Sequence, residues 1–363
     1  MKPIWKVIFG VGVSFFFIWW VLRGEDIGQV IAHISQANLW YLSASIIVGT
    51  AGYLIRALRW KVLLEPVNRD TGLRSRFAAI CIGFATNNVF PARLGEIVRA
   101  FALNRAEQQV KVSGALGSVV VERLLDAIVL VSMFLVPMVL PSFPGASDFL
   151  VGTVGTILNT TFIMLAVLIV GILALLIFPN PIIGFAENIC ERLSNPLRQK
   201  VILSLKSFLN ALEVLKYPKL LTKAFFWTLG FWLWHSWSFW LGMRAFGIDL
   251  GLDAAIFTMA MVGFAIAIPA APGFFGTFQI GADLALNGVY GVAAPATLAF
   301  AFGYHISGFF PVTIIGFYYA WKLGFSVAEV RGSKDRVKQA VEYQVPETST
   351  EYNNNEVEIS DNV

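Results

Sequence analysis

Hydrophobic positions along this chain gather into long blocks instead of alternating with polar ones. Residues 4–22, 39–58, 113–140, 150–178, 220–246 and 292–321 each stay apolar over the roughly 20 residues a helix needs to cross a bilayer. Two further apolar regions, 77–103 and 254–286, are interrupted near the middle by proline and glycine, leaving halves too short to span. They predict re-entrant hairpins; two ordinary spanning helices kinked at proline are the alternative. Composition fixes the solvent. Hydrophobic residues make up 57% of the 363 positions and charged ones 14%, with a mean hydropathy of +0.69, far from soluble domains. The expected fold is therefore all-α: a polytopic membrane protein of about six spanning helices and two opposed hairpins.

Charge orients these blocks. Arg56, Arg59, Lys61, Arg69, Arg74 and Arg76 crowd the region after the second block, which the excess of cations on cytoplasmic loops places inside the cell. Arg99, Arg105 and Lys111 follow the first break, and a basic linker at about 180–219 follows the fourth block. Both read as cytoplasmic. Asp249, Asp253 and Asp283 flank the second break without any lysine, so that hairpin enters from outside. The result is an inverted-topology repeat, about 39–140 against 220–321. Weak echoes accompany it: Arg56-Ala57-Leu58 with Arg244-Ala245-Phe246, and Pro91 four before Gly95 with Pro272 four before Gly276. Such repeats with broken helices mark transporters, whose substrate site lies between the halves. Lys2 and Lys6 before the first block suggest a signal peptide, but FFFIWWVLRGED has no cleavage pattern, so an uncleaved anchor is expected. Both termini then lie in the cytoplasm of a multi-pass cell-membrane protein. Residues 1–322 form the transmembrane domain, and 323–363 a polar, disordered tail. Cys81 and Cys190 are expected as free thiols.

The candidate chemistry sits at the breaks. In TNNVFPARLGEIVRAFAL, Pro91 stops one half-helix and another starts near Leu94-Gly95-Glu96. A helix N-terminus there favours an anion, with Arg93 and Arg99 adding charge, Glu96 offsetting part of it, and Asn87 and Asn88 beside it. The second break, PAAPGFFGTFQIGADLAL, presents Gly273, Gly276 and Thr277 with phenylalanines. A charged tip and an aromatic one suit a ligand with an anionic head and an apolar body, although the phenylalanines read more simply as packing. A second cluster, VVVERLLDAIVLV, lies about 15 Å into the third block. Glu122 and Asp126 share a helix face there, with Arg123 in reach of Asp126. Charges at such depth mark a pathway or a paired network, and a structural latch with Arg93 or Glu96 is as good a reading as a transport role. His235, in FWLWHSWSFW, reads as a core or interfacial histidine, and His305 as a counterpart of the Glu122 cluster. No metal-ligand spacing, cofactor motif or phosphate loop is present in the sequence. The Arg56-x-x-Arg59-Trp60 group reads as an interfacial anchor facing anionic lipid.

Taken together, R-x-x-R-W, N-N-x-F-P-x-R-x-G-E-x-x-R, E-R-x-x-D and A-P-G-x-x-G-T resemble the lysylphosphatidylglycerol synthase transmembrane-domain family, also called flippase-like, over roughly residues 1 to 325. The chain lacks the soluble aminoacyl-transferase half of the bifunctional members. The resemblance thus implies lipid translocation without lysyl transfer. Three functions stand against one another: a transporter of an anionic phospholipid or polyprenyl-phosphate lipid, a carrier of a small water-soluble anion, and a membrane-embedded lipid-phosphate enzyme. The first is expected, hence no enzyme. Its partners would be the membrane lipid as substrate and anionic headgroups around it, no nucleic acid, and a second copy of the chain or a lipid-synthesis enzyme.

Overall fold

The computed structural model describes residues 4–90, 94–144, 181, 184–185, 217–267 and 272–325. Among these residues the protein is all helical. The elements are α1 (Ile4–Leu22), α2 (Ile27–Ser35), α3 (Leu39–Leu64), α4 (Leu73–Val89), α5 (Gly95–Ala106), α6 (Val112–Met138), α7 (Pro218–Ala245), α8 (Leu252–Ala265), α9 (Thr277–Leu286) and α10 (Ala294–Lys322). The block 150–178, Cys190, most of the basic linker and the tail from 326 lie outside the described residues.

Local chemistry sets the ends. Asn38 starts α3 by accepting the N–H groups of Trp40 and Tyr41 at 3.0 and 3.3 Å, and Asp26 does the same for α2. α4 stops at Phe90, whose extended backbone (φ −106°, ψ 139°) is what a following proline demands. α3 runs on to Leu64, past the boundary expected at 58, because nothing in RWKVLLEP breaks a helix before Pro66. That extension places Arg59 and Trp60 inside the protein.

Both expected breaks are present as breaks between short helices. α4 and α5 form one pair, α8 and α9 the other. Two quartets of long, short, short and long helices follow one another: α3 to α6 and α7 to α10. Exchanging them maps the contacts onto themselves. α4 packs on α10 as α8 packs on α6, and α3 meets α10 as α7 meets α6, while α3 and α7 pack on each other. Small residues allow the close crossings. A Cβ at Gly316 of α10 would meet the backbone of Cys81 and the side chain of Ala85 on α4, and one at Gly95 would meet the Gly83 carbonyl. Between α3 and α7, Ser238 donates to the Ser45 carbonyl at 2.8 Å and Trp234 Nε1 to that of Val48 at 2.7 Å.

Apolar side chains cover much of the outside, and a set of polar and charged ones is buried within an otherwise hydrophobic core. Leu39, Trp40, Ile47, Phe226, Ile314 and Trp321 are exposed, whereas Arg56, Arg59, Glu122, Asp126, Thr228, Ser236 and Ser238 are buried. α3 and α10 are long and apolar enough to cross a bilayer. α6 and α7 match them at 27 and 28 residues, and α6 carries three charges, Glu122, Arg123 and Asp126, within its apolar stretch.

Candidate functional site

Three helices of the first quartet bring five charges together in the interior. Arg56 and Arg59 lie three apart on α3, Glu122 and Asp126 four apart on α6, and Arg99 comes from α5. Arg99 and Glu122 form a two-bond pair, Nη1 to Oε1 at 3.1 Å and Nη2 to Oε2 at 2.8 Å, in the planar fork geometry open to arginine. Arg59 bridges both carboxylates, reaching Glu122 Oε1 at 2.8 Å and Asp126 Oδ1 at 2.5 Å. Trp232 Nε1 donates to that same Asp126 oxygen at 2.9 Å. The five charged side chains are at most 5% exposed. The Trp60 ring lies under Arg99, 4.4 Å from its guanidinium carbon.

Arg56 differs from its neighbours. It makes no hydrogen bond among the described residues, and it stops 3.7 Å from Asp126 Oδ2 and 4.0 Å from Glu122 Oε1; its Nε is unpartnered, as are those of Arg59 and Arg99. Phe84 and Phe231 hold its guanidinium carbon between their faces at 4.8 and 4.6 Å, a cation–π placement. Arg56, Arg59 and Arg99 set three buried positive charges against the two negative ones of Glu122 and Asp126, so one stays uncompensated within the buried cluster.

The donors of Arg56 face a cavity of about 420 Å³ between the two quartets. It is lined by polar and charged side chains, among them Arg56, Asn87, Asn88, Glu96, Arg123 and Asp126, and by rings, among them His235, Phe239, Phe278, Tyr304 and His305. Arg123 bridges Glu96 at 3.1 Å and Asp126 at 3.5 Å, with 44% of its side chain exposed. Both readings of this cluster thus have their geometry: a latch from α6 to α5, and a cavity wall.

The sequence-predicted residues divide accordingly. Asn87, Asn88, Glu96, Arg123 and Asp126 line the cavity. Arg99 and Glu122 are paired behind it, so Arg99 adds no free charge to the first tip. Arg93, with Pro91 and Ala92, lies outside the described residues. Gly276 and Thr277 are packed at the start of α9, and Gly273 adopts a positive φ of 73° that the turn before α9 requires. The N-terminal amides at the breaks are not all free: Gly95 N–H donates to Asn87 Oδ1 at 2.7 Å, and Gly276 N–H to Gln279 Oε1 at 2.8 Å. Asn88 reaches across to Thr313 of α10 at 2.8 Å.

Two expectations need correction. Arg56 and Arg59 are not an interfacial anchor but the centre of the buried network, 3% and 0% exposed. Arg76, counted as a loop cation, is buried on α4 and donates to the Ala57 carbonyl at 2.9 Å. His235 is half-buried and lines the cavity with its Nδ1 unpartnered, against Gly52 one turn from Arg56. His305 stacks on Phe278 with centroids 4.3 Å apart and meets Gln279 Nε2 through its Nδ1 at 3.2 Å.

The chain belongs to the family described as the Lysylphosphatidylglycerol synthase TM region, whose family model matches residues 7–316. It is a membrane protein of a family associated with lipid-related membrane function. It is 27% identical over 130 residues to a UPF0104 membrane protein of Pyrococcus horikoshii. That match covers 35% of this chain and 38% of the relative's length. No solved structure matches the chain.

Proposed function

We propose that this protein is a lipid transporter, not an enzyme, moving an anionic phospholipid or polyprenyl-phosphate lipid between the leaflets of the cell membrane. The observation that carries the reading is Arg56: a buried guanidinium, short of hydrogen-bond partners, in the wall of a cavity that is otherwise rich in aromatic side chains. A buried charge left incompletely paired costs several kcal/mol, and a phosphate oxygen entering beside Arg56 would offset that cost. The aromatic lining suits an apolar body. In this account α1, α3, α6, α7 and α10 span the bilayer, and α4/α5 and α8/α9 are re-entrant hairpins of an inverted repeat. The swapped contacts of the two quartets support that arrangement.

Native mass spectrometry of the full chain, purified gently and then mixed with equal amounts of dioleoyl phosphatidylglycerol, undecaprenyl phosphate and dioleoyl phosphatidylcholine, tests this reading. An anionic lipid retained over the zwitterionic one by wild type, and lost in Arg56→Gln, is the expected result. Indifference to lipid charge contradicts it.

A further inference from the structure

The cavity shares a wall with a second, apolar hollow. That groove has a volume of about 400 Å³ and is lined by Ile46, Ile47, Thr50, Ala51, Leu54 and Phe77. Ile46 and Thr50 line the cavity as well. Helical geometry explains the sharing. Along α3, Ser45, Gly49, Tyr53 and Arg56 face the cavity, while Ile47, Ala51 and Leu54 face the groove. Ile46 and Thr50, one turn apart, form the ridge between these two stripes.

The groove is open to the outside. Ile47 is 68% and Leu54 44% exposed, and Phe77 of α4, edge-on to Tyr319 of α10, closes one end. Only two half-buried side chains separate this apolar surface from the chamber that Arg56 faces, and one of them is a threonine flanked by Gly49 and Ala51. A small water-soluble anion has no use for such a feature. A chain of methylenes attached to a head held at Arg56 has.

We propose that the groove on α3 and α4 is the acyl-chain subsite of the transported lipid, and that the Ile46/Thr50 ridge is the portal through which the chain passes while the head stays in the cavity. The proposal rests on the lipid-transport reading and adds the route the lipid tail takes. Binding is non-covalent: the groove contributes apolar burial at Ile47, Leu54 and Phe77, and the cavity supplies the charge.

The test uses the full chain and two probes, dioleoyl phosphatidylglycerol with a diazirine at the end of one acyl chain and the same diester without chains, glycerophosphoglycerol. In detergent, at one labelled lipid per protein, irradiation should mark Ile46 to Leu54 and Phe77, and a hundredfold excess of glycerophosphoglycerol should remove those marks at least fivefold. In proteoliposomes, Thr50→Trp should slow exchange of fluorescent phosphatidylglycerol at least tenfold and melt like wild type. Thr50→Ala, which lowers the ridge, should exchange at least as fast as wild type. Marks scattered over other helices, or marks in the groove that the competitor leaves unchanged, overturn the subsite whether or not Thr50→Trp folds. Full-rate exchange by folded Thr50→Trp overturns the portal alone. A wild-type chain that binds the chain-free diester and exchanges no lipid overturns the transport reading and the subsite with it.

Discussion

Arg56 and Asp126 face each other across 3.7 Å without a hydrogen bond, whereas Arg59, one turn further along α3, holds the other oxygen of the same carboxylate at 2.5 Å. Arg59 and Trp232 both bond Asp126 Oδ1, while Oδ2, which faces Arg56 at 3.7 Å and Arg123 at 3.5 Å, has no hydrogen-bond partner. Two arginines three positions apart thus differ: Arg59 is hydrogen-bonded into the network, and Arg56 stands beside it in the cavity wall without a hydrogen bond.

The Arg99–Glu122 pair is fully withdrawn from solvent, so breaking it strands a charge. Glu122→Gln or Arg99→Ala should destabilise the protein by about 3–5 kcal/mol, and Arg99→Met with Glu122→Met should recover much of that loss. Thermal unfolding in detergent checks this order. Equal melting for the single and double variants would show that the two side chains are not coupled.

Arg123 is the contrasting case. With 44% of its side chain exposed, it should contribute no more than about 1 kcal/mol, because Asp126 keeps Arg59 and Trp232 without it. Arg123→Ala should therefore fold normally, while Asp126→Ala, which removes a partner from Arg59, Trp232 and Arg56 together, should lower folded yield severely. Purified yield and melting temperature compared side by side decide the matter, and a severe Arg123→Ala phenotype would make the Glu96 bridge structural.

The crossing of α4 and α5 allows no Cβ. Gly95→Ala would push a methyl against the Gly83 carbonyl and the Asn87 side chain, whereas Gly230→Ala on α7 meets nothing within 4 Å. The first should cost at least about 2 kcal/mol, within the range for overpacking of a tight site, and the second should be silent in the same melting assay.

Much of the fold was legible because its signals are local. The apolar blocks gave the long helices, Pro91 after Phe90 gave the end of α4, and the glutamate and aspartate four apart on α6 pointed inward as their spacing implied. The centre of the site was not legible. Arg56 and Arg59 sit in a run of cations that continues with Lys61, and position in sequence does not reveal which of three basic residues a helix turns inward. What distinguishes them is their carboxylate partners on α6, more than sixty positions away. The caps at the breaks were hidden for the same reason: Asn87 read as a polar residue free for a ligand, and its acceptor oxygen is taken by Gly95, as that of Gln279 is by Gly276. Nor did the sequence echo of Arg56 with Arg244 carry over to environment, since Arg244 pairs with Asp249, which is 82% exposed.

The inverted repeat predicts opposite sides for its two connecting turns. In a background lacking Cys81 and Cys190, a cysteine at Lys111 should react with an impermeant maleimide only from the cytoplasmic face of oriented vesicles, and one at Gly288 only from the outer face. Labelling of both from one side would leave two kinked spanning helices as the better description.

The central claim is that Arg56 receives the head of a transported anionic lipid, and leaflet exchange measures it most directly. Wild type and Arg56→Gln, reconstituted at equal density, are compared for exchange of fluorescent phosphatidylglycerol and phosphatidylcholine, with melting in detergent as the control for folding. Exchange of the anionic lipid should fall at least tenfold in folded Arg56→Gln, and Arg56→Lys should recover only part of it, since lysine keeps the charge but not the planar fork. Wild-type exchange of the anionic lipid by a folded Arg56→Gln protein would contradict the account and leave Arg56 as a structural cation.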